Sequence, residues 1–283
     1  MDEKTVRLKG KVAIVTGAGR GIGKSVALAF AREGADTVVV SRTFSEVKEV
    51  ATQIARMGGR ALPLKVDVSR KSDVVEMVNS TVAEFGRIDV LVNNAGILGP
   101  VGPLVENDVD DWVHAIEVNL IGTFLCCREV LPIMIKQHHG KILNLSGGGA
   151  TSPRPRFTAY ASSKTAVVRL TETLAEEVKD FNIQVNAIAP GAVDTRMHDQ
   201  ILAANEAAGR EAIEESKNVK ATGGTPLKLT VELAIFLASD ASDGLTGKLL
   251  SAVWDNWRKM DIHKVSSSNA YTLRRITEEE KTQ

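Results

Sequence analysis

Val12-Ala-Ile-Val-Thr16-Gly17-Ala18-Gly19-Arg20-Gly21-Ile22-Gly23 begins as a β-branched apolar run of strand length, turns on glycines, and enters an Ala-rich stretch with helical periodicity that continues to Glu33. Glycines let a backbone turn tightly and approach a pyrophosphate, and the N–H groups and dipole of a helix start favour that negative charge. The same alternation recurs downstream. Residues 37–41, 61–66, 88–93, 141–145 and 183–188 read as strands, and residues 44–57, 71–85, 109–138, 159–180 and 230–239 as helices. Parallel neighbours need crossover connections, and those are right-handed. The pattern therefore predicts an α/β protein, a doubly wound Rossmann fold with a central, mostly parallel sheet flanked by helices. In such sheets ligands sit beyond the carboxyl ends of the strands, so the residues that follow each strand are the informative ones.

The second strand ends in Ser41-Arg42, where a carboxylate would accept hydrogen bonds from a free ribose and repel a 2′-phosphate. An arginine offers a rigid fork of donors suited to phosphate, and Arg20 can reach the same group from the glycine turn. The expected cofactor is NADP (NADPH) rather than NAD, the alternative being that both arginines are merely solvated. Asp67-Val68 closes the third strand, where a carboxylate can meet an adenine amino group. Asn93-Asn94-Ala95-Gly96 closes the fourth, and its small Ala-Gly pair leaves room for a cofactor against the backbone. Either asparagine could instead cap the turn. Tyr160-Ala-Ser-Ser-Lys164 places two side chains on one face of a helix. A tyrosine, with an ordinary pKa of about 10, acts near neutrality only beside a cation, and Lys164 is placed to supply one.

In order and spacing, Thr-Gly-x-x-x-Gly-x-Gly at 16–23, Asn-Asn-Ala-Gly at 93–96, Asn119 in Val-Asn-Leu, Tyr-x-x-x-Lys at 160–164, and Pro190-Gly191 with Thr195 resemble the short-chain dehydrogenase/reductase family over about residues 8–250, its 3-oxoacyl-[acyl-carrier-protein] reductase-like members included. The resemblance implies hydride transfer between a nicotinamide and a carbonyl or secondary alcohol, with NADPH favouring reduction. It implies that Tyr160 moves the proton, that Lys164 lowers the tyrosine pKa and holds the nicotinamide ribose, and that Asn119 holds a relay water. Pro190, Gly191, Val193 and Thr195 would border the nicotinamide amide and phosphate. The family's serine, 13 residues before the tyrosine, is replaced by Gly147. Ser146 is favoured to take its role, with Thr151 and Ser152 poorer substitutes and loss of the function the alternative. Where the family carries Val-Asp-Gly-Gly, this chain reads Thr246-Gly-Lys-Leu-Leu-Ser-Ala-Val-Trp-Asp-Asn-Trp257, so the exit of the last strand should differ.

A chain of 283 residues, 43% hydrophobic and 25% charged, supports one domain over residues 1–254. Residues 196–226 are expected to form a lid, and residues 255–283 a charged, mobile or partner-dependent tail. With 35 basic and 35 acidic residues, no global field points to nucleic acid or a membrane surface. The polar start and the lack of an 18-residue apolar run lead to the expectation of a cytoplasmic protein. Cys126 and Cys127 read as buried small hydrophobes, while His198, His138 and His139 read as surface residues, and no metal-ligand spacing is present. Long helices at 109–138 and 159–180 suggest a homodimer or homotetramer. Beside the enzyme stand two other readings: a turnover-deficient dinucleotide sensor or scaffold, and an epimerase or dehydratase that regenerates its cofactor. Arg154 and Arg156 either greet an anionic substrate or are solvated loop residues.

Overall fold

The computed structural model describes residues 6–275. Its centre is a seven-stranded parallel sheet in the order β3-β2-β1-β4-β5-β6-β7. The strands are β1 (Val12–Thr16), β2 (Asp36–Ser41), β3 (Ala61–Lys65), β4 (Val90–Asn93), β5 (Gly140–Leu145), β6 (Ile183–Ala189) and β7 (Leu249–Ser251). Pairing runs Val15 to Val39 on one side of β1 and Val15 to Val92 on the other, so strand order reverses at β1. Pro63 is tolerated because β3 is an edge strand.

Along each strand successive side chains serve opposite faces. Ala13, Val15, Val39, Leu143 and Ile188 pack against α1 (Gly21–Arg32), α2 (Phe44–Arg56) and α9 (Leu227–Ala238). Ile14, Val38, Leu91 and Ile142 pack against α3 (Lys71–Phe85), α5 (Gly122–Gln137) and α6 (Thr158–Val178). The buried carboxylate Asp89 fixes the base of the sheet, accepting hydrogen bonds from Val12 N at 2.8 Å and from Arg87 Nε at 2.8 Å.

The long helix predicted at 109–138 is interrupted: α4 (Val109–Ile116) and α5 are joined by a π turn at Glu117–Ile121 that contains Asn119. Single π turns within helices recur at functional sites. The run Val109–Gln137 has the length and hydropathy of a membrane span, but half of its apolar window is buried inside the domain. Between β6 and α9 the chain makes an excursion through α7 (Arg196–Ala203) and α8 (Arg210–Thr222). Its two ends are clamped together by a bridge between Val193 and Gly224 and by Thr225 N donating to Ala192 O at 2.8 Å.

Residues 255–275 are not a solvated tail. Trp257 is 4% exposed and stacks on Phe236 at 5.5 Å between ring centroids, and Met260, Ile262, Val265 and Tyr271 join the same cluster. Leu249 N on the edge strand donates to Tyr271 O at 2.8 Å, and Leu273 N donates to buried Glu172 at 2.6 Å. Charge and serine content obscured apolar side chains that are spaced to dock, with α10 (Ile262–Ser266) among them. The segment Glu278–Gln283 lies outside the described residues. Trp257→Ala should therefore destabilise the protein by about 3 kcal/mol in urea denaturation; a change within about 0.5 kcal/mol, typical of exposed sites, would mean that the segment is not docked.

Candidate active site

The glycine turn owes its shape to the end of β4. Thr16 Oγ1 accepts hydrogen bonds from Asn94 N and Ala95 N, both at 3.0 Å, while Asn94 Nδ2 donates to Thr16 O at 2.8 Å and Gly17 O at 3.2 Å. At Gly17 (φ +63°) a Cβ would lie 2.8 Å from Asn94 Nδ2, and at Gly23 it would collide with Asn94 and with the Gly17 carbonyl. Only glycine fits at these two positions. Asn94 is thus the clamp of the turn, whereas Asn93 is structural, donating to Asn144 Oδ1 at 2.9 Å and to Cys127 Sγ at 3.3 Å. Arg20 precedes α1 without a side-chain cap, which leaves the first-turn N–H groups open to an anion.

The cleft at the carboxyl ends of the strands measures about 1420 Å³, above the roughly 300–1,000 Å³ of a single small-molecule pocket, and so has room for two ligands. Gly17, Gly19, Arg20, Gly21, Ile22, Ser41, Arg42, Asp67, Val68, Asn94, Ala95 and Gly96 line one half; Ser146, Tyr160, Lys164, Pro190, Gly191, Val193 and Thr195 line the other. Gly23 stands behind the turn. The bare backbone and the uncapped helix start fit a dinucleotide.

Several details differ from expectation. Ser41 Oγ is used within its own turn, donating to Thr43 O at 2.9 Å and accepting from Thr43 N at 3.2 Å. Arg20 is paired with Glu46 at 3.0 Å, and Glu46 lies over Gly19. Arg42, by contrast, makes no hydrogen bond or ion pair with another described residue. Burial pushes the Asp67 carboxyl up, but hydrogen bonds from Ser69 and the charges of Arg42 and His114 outweigh it and hold the group below its ordinary pKa. Glu46 and Thr43 were not singled out from the sequence; their place in the first turn after β2 was the available signal.

Tyr160 and Lys164 project from the first turns of α6 into the cleft, both nearly enclosed, with Lys164 Nζ 5.8 Å from the tyrosine ring centroid and donating to Leu145 O at 2.8 Å. Burial pushes the Lys164 ammonium down to about 8. Burial pushes the phenol above its usual value, and the charge of Arg154 pulls it partly back. The cation that opposes desolvation of the phenol is Arg154. Asn119 is fully buried. Its Oδ1 accepts from Ile97 N at 2.8 Å and its Nδ2 donates to Ile97 O at 2.9 Å and to Ser163 Oγ at 3.0 Å. The side chain braces the floor below Gly96 and Lys164.

Gly147, not Ser146, faces the tyrosine: a Cβ on Gly147 would collide with the Tyr160 phenol oxygen. Ser146 Oγ is enclosed, makes no hydrogen bond to Tyr160, and has no partner among the described residues. Adjacent residues in extended chain point to opposite faces, which is why a one-residue shift does not restore the missing hydroxyl. His198 is buried rather than superficial, its Nδ1 lying 3.0 Å from Ser216 Oγ. No cluster of metal-ligating residues occurs among the described residues, and burial pushes the thiol of Cys127 up to about 12.

A parallel sheet reversed at β1, a glycine cradle and a Tyr/Lys pair over one cleft define a dinucleotide-dependent oxidoreductase. Sequence comparison agrees: a profile described as short chain dehydrogenase matches residues 11–206, and the chain belongs to the short-chain dehydrogenase/reductase family. It is 37% identical to the 3-oxoacyl-[acyl-carrier-protein] reductase FabG of Thermotoga maritima, over 87% of this chain and 97% of that one. It is also 37% identical to the short chain dehydrogenase/reductase astE of Aspergillus oryzae, over 88% and 96%. Levodione reductase superposes with a TM-score of 0.80 at 29% identity, over 87% of this chain and 96% of that one. NAD+-bound xylitol dehydrogenase superposes with 0.79 at 30% identity, over 86% and 98%. Members of the family bind a nicotinamide dinucleotide and act on CH–OH or C=O groups.

Two outcomes test this geometry. Gly147→Ala should lower kcat at least tenfold while leaving dinucleotide affinity within a few-fold, because the phenol must move; unchanged kcat would show that the phenol oxygen is not held there. Lys164 has a folded pKa below its unfolded one. Its charge therefore costs stability below pH 8, and the cost fades between about 8 and 10.5, as the folded protein gives up the proton first. Lys164→Met should be more stable than wild type at pH 7 by on the order of 1–2 kcal/mol, after allowing for the lost bond to Leu145. The gain should shrink as denaturation is repeated at rising pH.

Proposed function

We propose that the protein is an NADPH-dependent carbonyl reductase in which Tyr160 is the proton donor. The observation that carries this reading is the Tyr160 phenol: it is enclosed, held protonated by burial, free of hydrogen bonds to other described residues, and turned toward the cleft. When bound, the nicotinamide supplies the hydride. Tyr160 Oη orients the carbonyl by donating a hydrogen bond to its oxygen and gives up its proton as negative charge develops there. Lys164, fixed by the Leu145 carbonyl, supplies a cation beside the tyrosine and donors for a ribose. Asn119 holds Ser163, the residue before Lys164, by a hydrogen bond to its hydroxyl. Two of the relatives are named reductases, which supports this direction of reaction, while xylitol dehydrogenase is NAD+-bound.

NADP is preferred over NAD in this reading because Arg42, at the end of β2, has no hydrogen bond or ion pair to another described residue, while the carboxylate nearby, Glu46, is already paired with Arg20. Residues 196–226, pinned at their base, act as the lid that excludes water. The apolar side chains exposed at Val109, Val113, Ile121 and Phe124 on α4, the π turn and α5 supply surface for a second copy, which supports a homo-oligomer.

Fluorescence titration with NADPH and NADH, followed by nicotinamide absorbance with a panel of carbonyl compounds, tests the reading. NADPH should bind at least tenfold more tightly, and Tyr160→Phe should abolish its oxidation without abolishing its binding. Arg42→Ala should weaken NADPH at least tenfold and NADH less than threefold; equal losses would overturn the specificity argument. Binding of neither dinucleotide would overturn the function itself.

A further inference from the structure

The loop that lost its serine is shaped around a cation. A Cβ on Gly148 would collide with Arg154 Nη1, and one on Gly149 would press on the Arg154 Cβ at 3.1 Å. Gly147 and Gly148 therefore give up their side chains to two different groups, the Tyr160 phenol and the Arg154 guanidinium. These flank one peptide unit whose Cα atoms are about 3.8 Å apart. The guanidinium lies over the Phe157 ring at 4.7 Å from its centroid and donates through Nη2 to Glu215 Oε2 at 3.0 Å. That is its only hydrogen bond to another described residue, which leaves most of its five donors open. The arginine side chain is 22% exposed and the glutamate, on α8, 45%, so the cation is built into the wall and the carboxylate is the replaceable member. Both line the cleft with Tyr160.

We propose that the substrate carries a carboxylate as well as its carbonyl, and that Arg154 binds this carboxylate by displacing Glu215. The proposal rests on Tyr160 being the proton donor to the carbonyl. A guanidinium fork matches a carboxylate in bidentate geometry, and Glu215 already shows the site accepting one. The charge count favours a monoanion over a phosphate. Among the cleft's other cations, Lys220 is taken by Asp194 at 2.7 Å and Asp199 at 2.6 Å, and burial pushes the neighbouring His198 toward its neutral form. A dianion at Arg154 would add its second charge where Glu215, Asp194 and Asp199 already stand. With the carbonyl at Tyr160 and the carboxylate at Arg154, on either side of the 147–148 peptide, the fitting compound is a short oxo acid, reduced to the hydroxy acid by one hydride and the Tyr160 proton. Arg154 is also the charge that pulls the buried phenol down.

The test uses Tyr160→Phe protein loaded with NADPH, which holds substrate without turning it over. It is titrated at constant ionic strength with 3-oxobutanoate, 4-oxopentanoate and their methyl esters, reading nicotinamide fluorescence. At least one acid should bind tenfold or more tighter than its ester. Adding Arg154→Gln should erase that preference with NADPH affinity unchanged, and adding Glu215→Gln should tighten the acid several-fold. Acids that bind no better than esters overturn the proposal, as does a preference that survives Arg154→Gln. Should Arg154→Gln fail to fold, Glu215→Gln decides: a purely structural ion pair would loosen or leave unchanged the acid complex. Failure of NADPH to bind would instead refute the reductase reading beneath.

Discussion

The hydrogen bonds between the ends of β1 and β4 are the constraint from which the rest of the site follows. Thr16 and Asn94 satisfy each other's backbone groups, and in doing so fix where the chain leaves the sheet and where α1 begins. Because the clamp uses Asn94 Nδ2 at the places where Gly17 and Gly23 would carry a Cβ, the turn admits no other residues. The bare cradle for a pyrophosphate is thus a by-product of tying two strands together at the point where strand order reverses. β4 continues from the clamp into Gly96, which lies against Asn119 at 3.2 Å and Lys164 at 3.5 Å from a would-be Cβ, so the same tether reaches the chemical end of the cleft.

At that end the fold carries groups that are poorly solvated for the charges they bear. Among the described residues, Lys164 is buried with one carbonyl as hydrogen-bond partner, and Ser146 Oγ is buried with none. Such arrangements reduce stability and persist where a site needs preorganised donors. The sheet can carry them because its core is continuous on both faces, and because Asn119 ties both backbone groups of Ile97 to Ser163 of α6, the helix that carries the lysine.

What was legible in the sequence was whatever depends on short-range pattern. The six strands first read fall within one or two residues of those observed, and the glycine turn, Asn94, Tyr160 and Lys164 all reach one cleft. What was illegible depends on partners distant in the chain. β7 is three residues long and carries no alternation to read, and the docking of Trp257 depends on Phe236, 21 residues earlier, while the sequence around it reads as a charged tail. Ser146 looked equivalent to a residue at 147 because spacing along the chain does not reveal which face of the backbone meets the tyrosine. Arg20 read as a free cation because Glu46, 26 residues later, has no sequence signal for pairing with it.

The glycine run at 147–149 looks in sequence like a defect in the catalytic pattern, and in space it is the junction of two charges. One side of its first peptide meets a phenol that burial holds protonated, the other a guanidinium that pulls the phenol the opposite way. A side chain at Gly147 would displace the phenol, and one at Gly148 would displace the end of the Arg154 side chain. The two contacts fall at neighbouring positions, the phenol at Gly147, where the family's serine would stand, and the guanidinium at Gly148. A site that gives up a hydroxyl for orienting a carbonyl gains a cation a few ångströms along the same backbone. Orientation that the family obtains at the reacting oxygen can then be supplied from elsewhere on the substrate, since binding energy at a non-reacting group serves equally to place the reacting one.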